Sequence, residues 1–299
     1  MHAARTPEPF FVALTADVDP DANRPEAGRI GAASAGGPDG AIRLDACFEG
    51  LSIALATLHD AGLPATLFYE SRTLRELASR EPGLLRGATD DRAFEHGCHG
   101  YCHEDFAGKV SGLPISAAEA KAIMVRADEA FASVMGAPPR AFRAPYCRVT
   151  PALAHALAEE GYAYDASLTQ RPSAAWRLRP YRLPDAPTVW ELALCRSNDK
   201  QGRPISCYLW QLFEGNRPVQ DYVDLVRSVR RTCPGGLLQI AFHPWHLIVS
   251  QDGGRLPSRA GGTGPSLFRQ FVEQAAQLSG LEFTTCGAYL KRAVETGAS

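Results

Sequence analysis

Along most of this chain, short apolar runs alternate with stretches in which apolar positions recur every three or four residues, the pattern of strands followed by amphipathic helices. The run at 10–19, FFVALTADVD, reads as a buried strand that turns polar at its C-terminal end. Leu44, Cys47, Leu51, Leu55 and Leu58 then step through a helix that stops at Gly62. Residues 65–70 form a second strand, with Ser71 placed to cap a helix over 72–80. A short strand at 94–98 follows, and Ser116 with Glu119 makes a capping box for a helix reaching Gly136. Residues 141–146 and 162–168 read as strands, separated by a helix that Thr150, Pro151 and Gly161 bracket.

The second half keeps the alternation. A strand is predicted at 189–194 inside an otherwise irregular stretch, 171–218, and a helix over 219–232 ends at Pro234-Gly235-Gly236. The apolar strand 237–242 leads into His243-Pro244-Trp245-His246. A helix at 266–278, a strand at 281–285 and a helix from Gly287 close the chain. Two segments lack periodicity: a Gly-, Ala- and Pro-rich loop at about 21–43 and a Gly-rich loop at about 251–265. With no internal repeat and no linker dividing two cores, residues 1–299 read as one domain of the α/β class. The alternation predicts a mostly parallel sheet, and in a barrel version the active site lies at the C-terminal strand ends.

Polar residues of chemical interest collect at those ends. Asp17 and Asp19 stand two apart, so on a strand they face one side. Two carboxylates projecting together repel, and one then binds a cation or holds a proton; an Asp-rich turn extended by Pro20, Asp21 and Asn23 fits these residues equally well. His99 and His103 stand four apart, a spacing that one helical turn would set on a single face. A solvated His-rich loop, packed core residues or a Cys/His knuckle using Cys98 and Cys102 are the rival readings. No second cluster completes a four-ligand knuckle. Arg143, Asp165 and His243 each follow a further apolar run.

Taken together, these residues can do hydrolytic chemistry. Asp19 can supply the oxygen ligand that His99 and His103 lack, giving a two-His, one-carboxylate site with positions left for water and substrate. Asp17 would then be the general base and His243 the general acid, with Arg143 holding Asp17 ionised and Asp165 orienting His243. Tyr101, Tyr146, Tyr164 and Trp245 could wall a sugar or a flat ring, or be ordinary core; Trp245 is the strongest of them. His96 is expected to pack behind the ligands, and His246 to touch substrate or hold the loop. The ligand types suit zinc first, and also Co2+, Ni2+ or Fe2+.

In order along the chain, LTADVD, HGYCH, FRAPY, YDASL and FHPWH resemble the five motifs of the polysaccharide deacetylases, also called the NodB-homology or carbohydrate esterase family 4 enzymes. The resemblance runs from about position 10 to 290. It implies a distorted (β/α)7 TIM-like barrel and a divalent metal held by Asp19, His99 and His103. It also implies the roles given above to Asp17, His243, Arg143 and Asp165. In two places the chain departs from the extracellular members. Val18 separates the aspartates, and His246 stands where related sequences often carry Glu. The DVD and HPW spellings resemble a leaderless cytosolic subgroup that includes a peptidoglycan deacetylase-like protein, allantoinase-like enzymes and cyclic imide hydrolases.

The expectation is therefore amide hydrolysis, with N-deacetylation of an acetamido sugar or small amide first. Ring opening of a cyclic imide or ureide is the alternative within the same chemistry, and a non-catalytic carbohydrate-binding protein the alternative of another class. Composition limits the partners. The chain has 299 residues, 45% hydrophobic and 21% charged, with a formal net charge of -2. That balance gives no electrostatic reason to expect nucleic acid or an anionic membrane, and a neutral small-molecule or carbohydrate substrate fits it. The run 10–14 is too short for a signal peptide or membrane span, and eight cysteines without regular spacing fit reduced thiols. The expected location is the cytoplasm. Nothing in the pattern sets the oligomeric state, and a homo-oligomer is compatible.

Overall fold

The computed structural model describes residues 9–37, 40–173, 178–259 and 261–297; the sequence reading of the extreme N-terminus falls on residues outside these. The first strand, β1 (Phe10–Val18), is buried along its whole length. Its even positions, Phe10 to Val18, join the cluster beneath the outer helices, while Phe11 and Ala13 join an inner cluster with Phe68 and Leu237. The two-residue period of a strand therefore sends Thr15 and Asp17 to the inside, at the C-terminal end. Asp19 follows on the same face, as its spacing predicts, and all three are buried.

Next comes a departure from the sequence reading. The segment at 21–43 is not structureless: β2 (Asn23–Glu26) and β3 (Arg29–Ser34) form an antiparallel hairpin turned by Ala27 and Gly28. Gly28 has φ 74°, the left-handed conformation glycine adopts without cost. Asp21, before the hairpin, accepts the amides of Ala46 (3.0 Å) and Cys47 (2.6 Å), so its carboxylate serves the first turn of helix α1 (Asp45–Asp60).

The βα alternation then proceeds. It runs through β4 (Ala65–Tyr69), α2 (Ser71–Arg80), α3 (Pro82–Thr89), β5 (Phe94–Cys98) and α4 (Ala117–Met135), on to β6 (Ala141–Phe142), α5 (Pro151–Glu159) and β7 (Tyr164–Asp165). Helix α4 has the capping box: Ser116 Oγ accepts from the Glu119 amide, and the Glu119 carboxylate accepts from the Ser116 amide. Thr150 caps α5 through the Leu153 amide. Ser71 makes no side-chain cap and is instead the first residue of α2. The strands expected at 141–146 and 162–168 are two residues each, because the chain leaves the sheet as soon as it reaches the active face.

The stretch 171–218 is more ordered than its composition implies. After β8 (Thr169–Gln170) it holds β9 (Tyr181–Leu183), β10 (Ala186–Glu191), β11 (Leu194–Asn198), β12 (Pro204–Ser206) and the short α6 (Trp210–Phe213). Helix α7 (Val219–Thr232) and β13 (Leu237–Phe242) have the expected bounds. Then come α8 (Gly264–Ala276), β14 (Leu281–Phe283) and α9 (Cys286–Glu295). Between β13 and α8, the Gly-rich loop is pinned by bridges between Val249 and Arg255 and between Arg259 and Gly262.

Seven strands run parallel in the order β13-β1-β4-β5-β6-β7-β10, with β9 antiparallel at one edge and β14 beside the start of β1. The curled sheet is the distorted barrel expected. It does not close by direct pairing of β10 with β13. The gap is spanned by hydrogen bonds from Leu237 N to Leu178 O, Gln239 Nε2 to Leu192 O and Leu209 N to Ala241 O. This bridging segment carries residues that reach the site. No helix among the described residues is long and apolar enough to cross a membrane.

Candidate active site

Asp17 (β1), Asp19 (just past β1), His99 and His103 (after β5), Tyr146 (after β6) and His243 with Trp245 (after β13) meet at the C-terminal strand ends, beside a cavity of about 470 Å3. Asp19 itself is fully buried behind this wall, among the imidazoles. One Oδ2 lies 3.8 Å from His99 Nε2, 3.2 Å from His103 Nε2 and 3.1 Å from His243 Nδ1, and Trp245 Nε1 donates to Oδ1 at 2.8 Å. Burial opposes the charge on Asp19, but the neighbouring His243 and His103 outweigh it and hold the carboxyl well below its usual range.

The histidine pair is set by a loop, not by the helical turn its spacing implies. Gly100 (φ 77°) and His103 (φ 56°) are both left-handed. Glu104 closes the loop by accepting the amides of Tyr101 (3.1 Å) and Cys102 (2.9 Å). His99 Nδ1 lies 2.7 Å from the Arg143 carbonyl. A carbonyl only accepts, so Nδ1 carries the proton and Nε2 keeps a free lone pair. That Nε2 is buried with no hydrogen-bond partner, and burial pushes the imidazole down to about 4, so it is neutral near pH 7. An orphaned, neutral nitrogen beside a buried carboxylate is what a metal ligand looks like before the ion is added. The donor set Asp19, His99 and His103 fits a divalent cation such as zinc.

Asp17 has a separate environment. Arg143, fully buried, donates through Nη1 to Asp17 Oδ1 (2.8 Å) and Thr15 Oγ1 (2.9 Å), through Nη2 to Gln239 Oε1 (2.5 Å) and through Nε to the Ala166 carbonyl (3.0 Å). Tyr208 OH donates to the other oxygen, Asp17 Oδ2, at 2.5 Å. Burial alone would raise the Asp17 pKa, but Arg143 foremost among its neighbours brings it below the ordinary value. The reverse holds for His243: burial disfavours its charge, and Asp19 more than compensates, raising the pKa. With its side chain 21% exposed against 2–3% for the other two histidines, His243 is the imidazole open to the cavity.

Two expectations are corrected. Asp165 does not orient His243: it accepts from Ser167 Oγ (2.6 Å) and lies in register with Glu191 on β10, a buried pair whose carboxyls burial pushes up, Glu191 further by the Asp165 charge beside it. Asp19 is the group on His243 instead. Tyr101 lies away from the cavity, its ring under Arg126 (3.8 Å) and its hydroxyl accepting from the same guanidinium. Trp245 does line the cavity, but its indole N–H is committed to Asp19, so it also holds a ligand in place. Tyr146 stands where expected, edge-on to His103 at 4.5 Å. Tyr164 belongs to the inner core, His96 stacks on Tyr69, and His246 pairs with Glu214 (2.9 Å).

Sequence reasoning missed Tyr208, Gln239, Glu191 and the hairpin residues Asn23, Arg24 and Pro25, which with Trp210 and Gln251 complete the cavity wall. Gln239 had a visible signal, a single polar residue in LLQIAF. Tyr208 had none, since it sits in a stretch without periodicity.

Residues 45–164 match the polysaccharide deacetylase family. That span holds His99, His103 and Arg143, whereas Asp17, Asp19, Tyr208 and His243 are joined to them by the fold. Among curated proteins none matches. Among solved structures the chain is similar to a putative polysaccharide deacetylase from Mycobacterium smegmatis, with 21% identity and a TM-score of 0.64 over 99% of this chain and 93% of that one. It is similar to Puue allantoinase at 15% identity and TM-score 0.64, over 98% and 92% of the two chains. It is also similar to a family 4 pseudoenzyme from Bacillus anthracis at 13% identity and TM-score 0.52, over 95% and 66%. These likenesses concern the fold. With the match over residues 45–164, they make the chain similar to the polysaccharide deacetylases.

Proposed function

We propose that this chain is a metal-dependent hydrolase of a non-peptide C–N bond, acting first on an acetamido sugar or another small amide. The observation that carries the reading is the convergence of an Asp-His-His donor set, an Arg-held carboxylate and an open imidazole on one cavity. A divalent ion held by Asp19, His99 and His103 would polarise the substrate carbonyl and acidify water. Asp17, kept ionised by Arg143, would take the proton of the attacking water. His243, with Nδ1 on Asp19, would deliver a proton from its other nitrogen to the departing amine. Tyr146 and Trp245 would flank the acyl group, and the hairpin bearing Arg24 would limit what enters.

Ring opening of a cyclic imide or ureide is the second reading, favoured by the cavity lining: the hairpin residues Asn23–Pro25, Trp210 and Gln251 stand beside the site residues, which suits a small ring. A non-catalytic carbohydrate-binding role is not favoured, because binding has no need of an Arg-clamped carboxylate beside an imidazole. The test is to load the chain with zinc and follow N-acetylglucosamine oligomers for acetate release, and hydantoin and succinimide for ring opening. Acetate release supports the first reading, ring opening alone supports the second, and neither, with zinc bound, contradicts hydrolysis.

A further inference from the structure

We infer that Tyr208 is a positioning residue for the hydrolytic pair, fixing the plane of the Asp17 carboxylate and the place of the His243 ring at once. The inference deepens the reading of Asp17 as base and His243 as acid. Arg143 grips only Oδ1 of Asp17, and the terminal torsion of an aspartate is broad, so one grip leaves the carboxylate free to turn. Tyr208 OH grips Oδ2 at 2.5 Å. The same phenol ring stacks on the His243 imidazole, with centroids 5.7 Å apart and planes at 23°. A single side chain therefore touches both partners of the proposed proton relay.

The tyrosine is itself rigidly placed. Its backbone runs alongside β13: Ala241 N donates to Cys207 O, and Leu209 N donates to Ala241 O. Its carbonyl accepts the Tyr222 hydroxyl at 2.8 Å. Burial and the nearby Asp17 charge push the phenol pKa far up, so the hydroxyl stays a donor at every working pH. These contacts cross the gap between β10 and β13, which ties the site to the irregular segment that closes the barrel.

Tyr208→Phe keeps the ring on His243 and removes only the hydroxyl. With the zinc-loaded protein and whichever of N-acetylglucosamine oligomers or hydantoin it turns over, kcat should fall roughly tenfold or more, the scale of one hydrogen bond to a charged group, with KM within about twofold. Zinc content should not change. In an Asp17→Asn background the same substitution should cost nothing further, because residues acting as a unit are non-additive. Full kcat in Tyr208→Phe overturns the inference, as does an equal loss in both backgrounds. If Asp17→Asn itself keeps wild-type turnover, the base assignment fails instead. A crystal structure of Tyr208→Phe gives a readout independent of turnover: a rotated Asp17 carboxylate supports the inference and an unmoved one contradicts it.

Discussion

Arg143 Nη1 lies 2.8 Å from Asp17 Oδ1, with the two side chains 0% and 1% exposed, so the positive charge nearest the proposed base is sealed from solvent along with it. Removing one partner leaves the other charged and uncompensated. Arg143→Met should therefore destabilise the fold by about 3–5 kcal/mol, read by urea denaturation. Arg143→Lys should recover little, because an ammonium cannot reach Gln239, Thr15 and the Ala166 carbonyl together as the fork does. Wild-type stability in either variant would contradict the ion pair as drawn.

Asp128 gives a pH prediction away from the site. Burial raises its carboxyl to about 7 despite the hydrogen bond that Tyr162 OH donates to it at 2.5 Å. The folded pKa is thus above the unfolded value near 3.8, and the native state binds the extra proton between them. The stabilising contribution is fully present below about pH 4 and is lost as pH rises through about 7. Asp128→Asn should flatten the decline in melting temperature over that window relative to the wild type. An unchanged slope would show that Asp128 is ionised at neutral pH.

Gly50 in α1 packs on the turn that carries His243 and Trp245: an added Cβ would lie 1.9 Å from the Pro244 carbonyl oxygen. Gly50→Ala should cost about 1–3 kcal/mol by overpacking and disturb the turn. In Gly87→Ala nothing lies within 4 Å of the new Cβ, so a neutral or slightly stabilising effect is expected. Equal thermal shifts in the two variants would refute the close approach.

Local chemistry explains which features were legible. The capping box at Ser116 and Glu119, the Thr150 cap and the apolar strand before His243 are written within a few residues each, and the structure has all three. The DVD spacing placed Asp17 and Asp19 on one face because a strand has a period of two. The HxxxH spacing misled as to helix, since Gly100 and a left-handed His103 replace the helical turn while still bringing the imidazoles to 4.9 Å between ring centres. What could not be read were partners distant in sequence: Tyr208 on Asp17, Asp19 on His243 and Glu191 on Asp165. The hairpin after Asp21 escaped because its strands are short and one carries a proline, an edge-strand residue that breaks the alternation.

The most direct test of the central claim is equilibrium zinc binding by the chelator-treated protein, measured by calorimetry beside Asp19→Asn and Asp17→Asn. The account predicts about one zinc per wild-type chain, retained in Asp17→Asn, which is the proposed base, and lost in Asp19→Asn, which removes a ligand. No zinc uptake by the wild type, or equal uptake by Asp19→Asn, would contradict it.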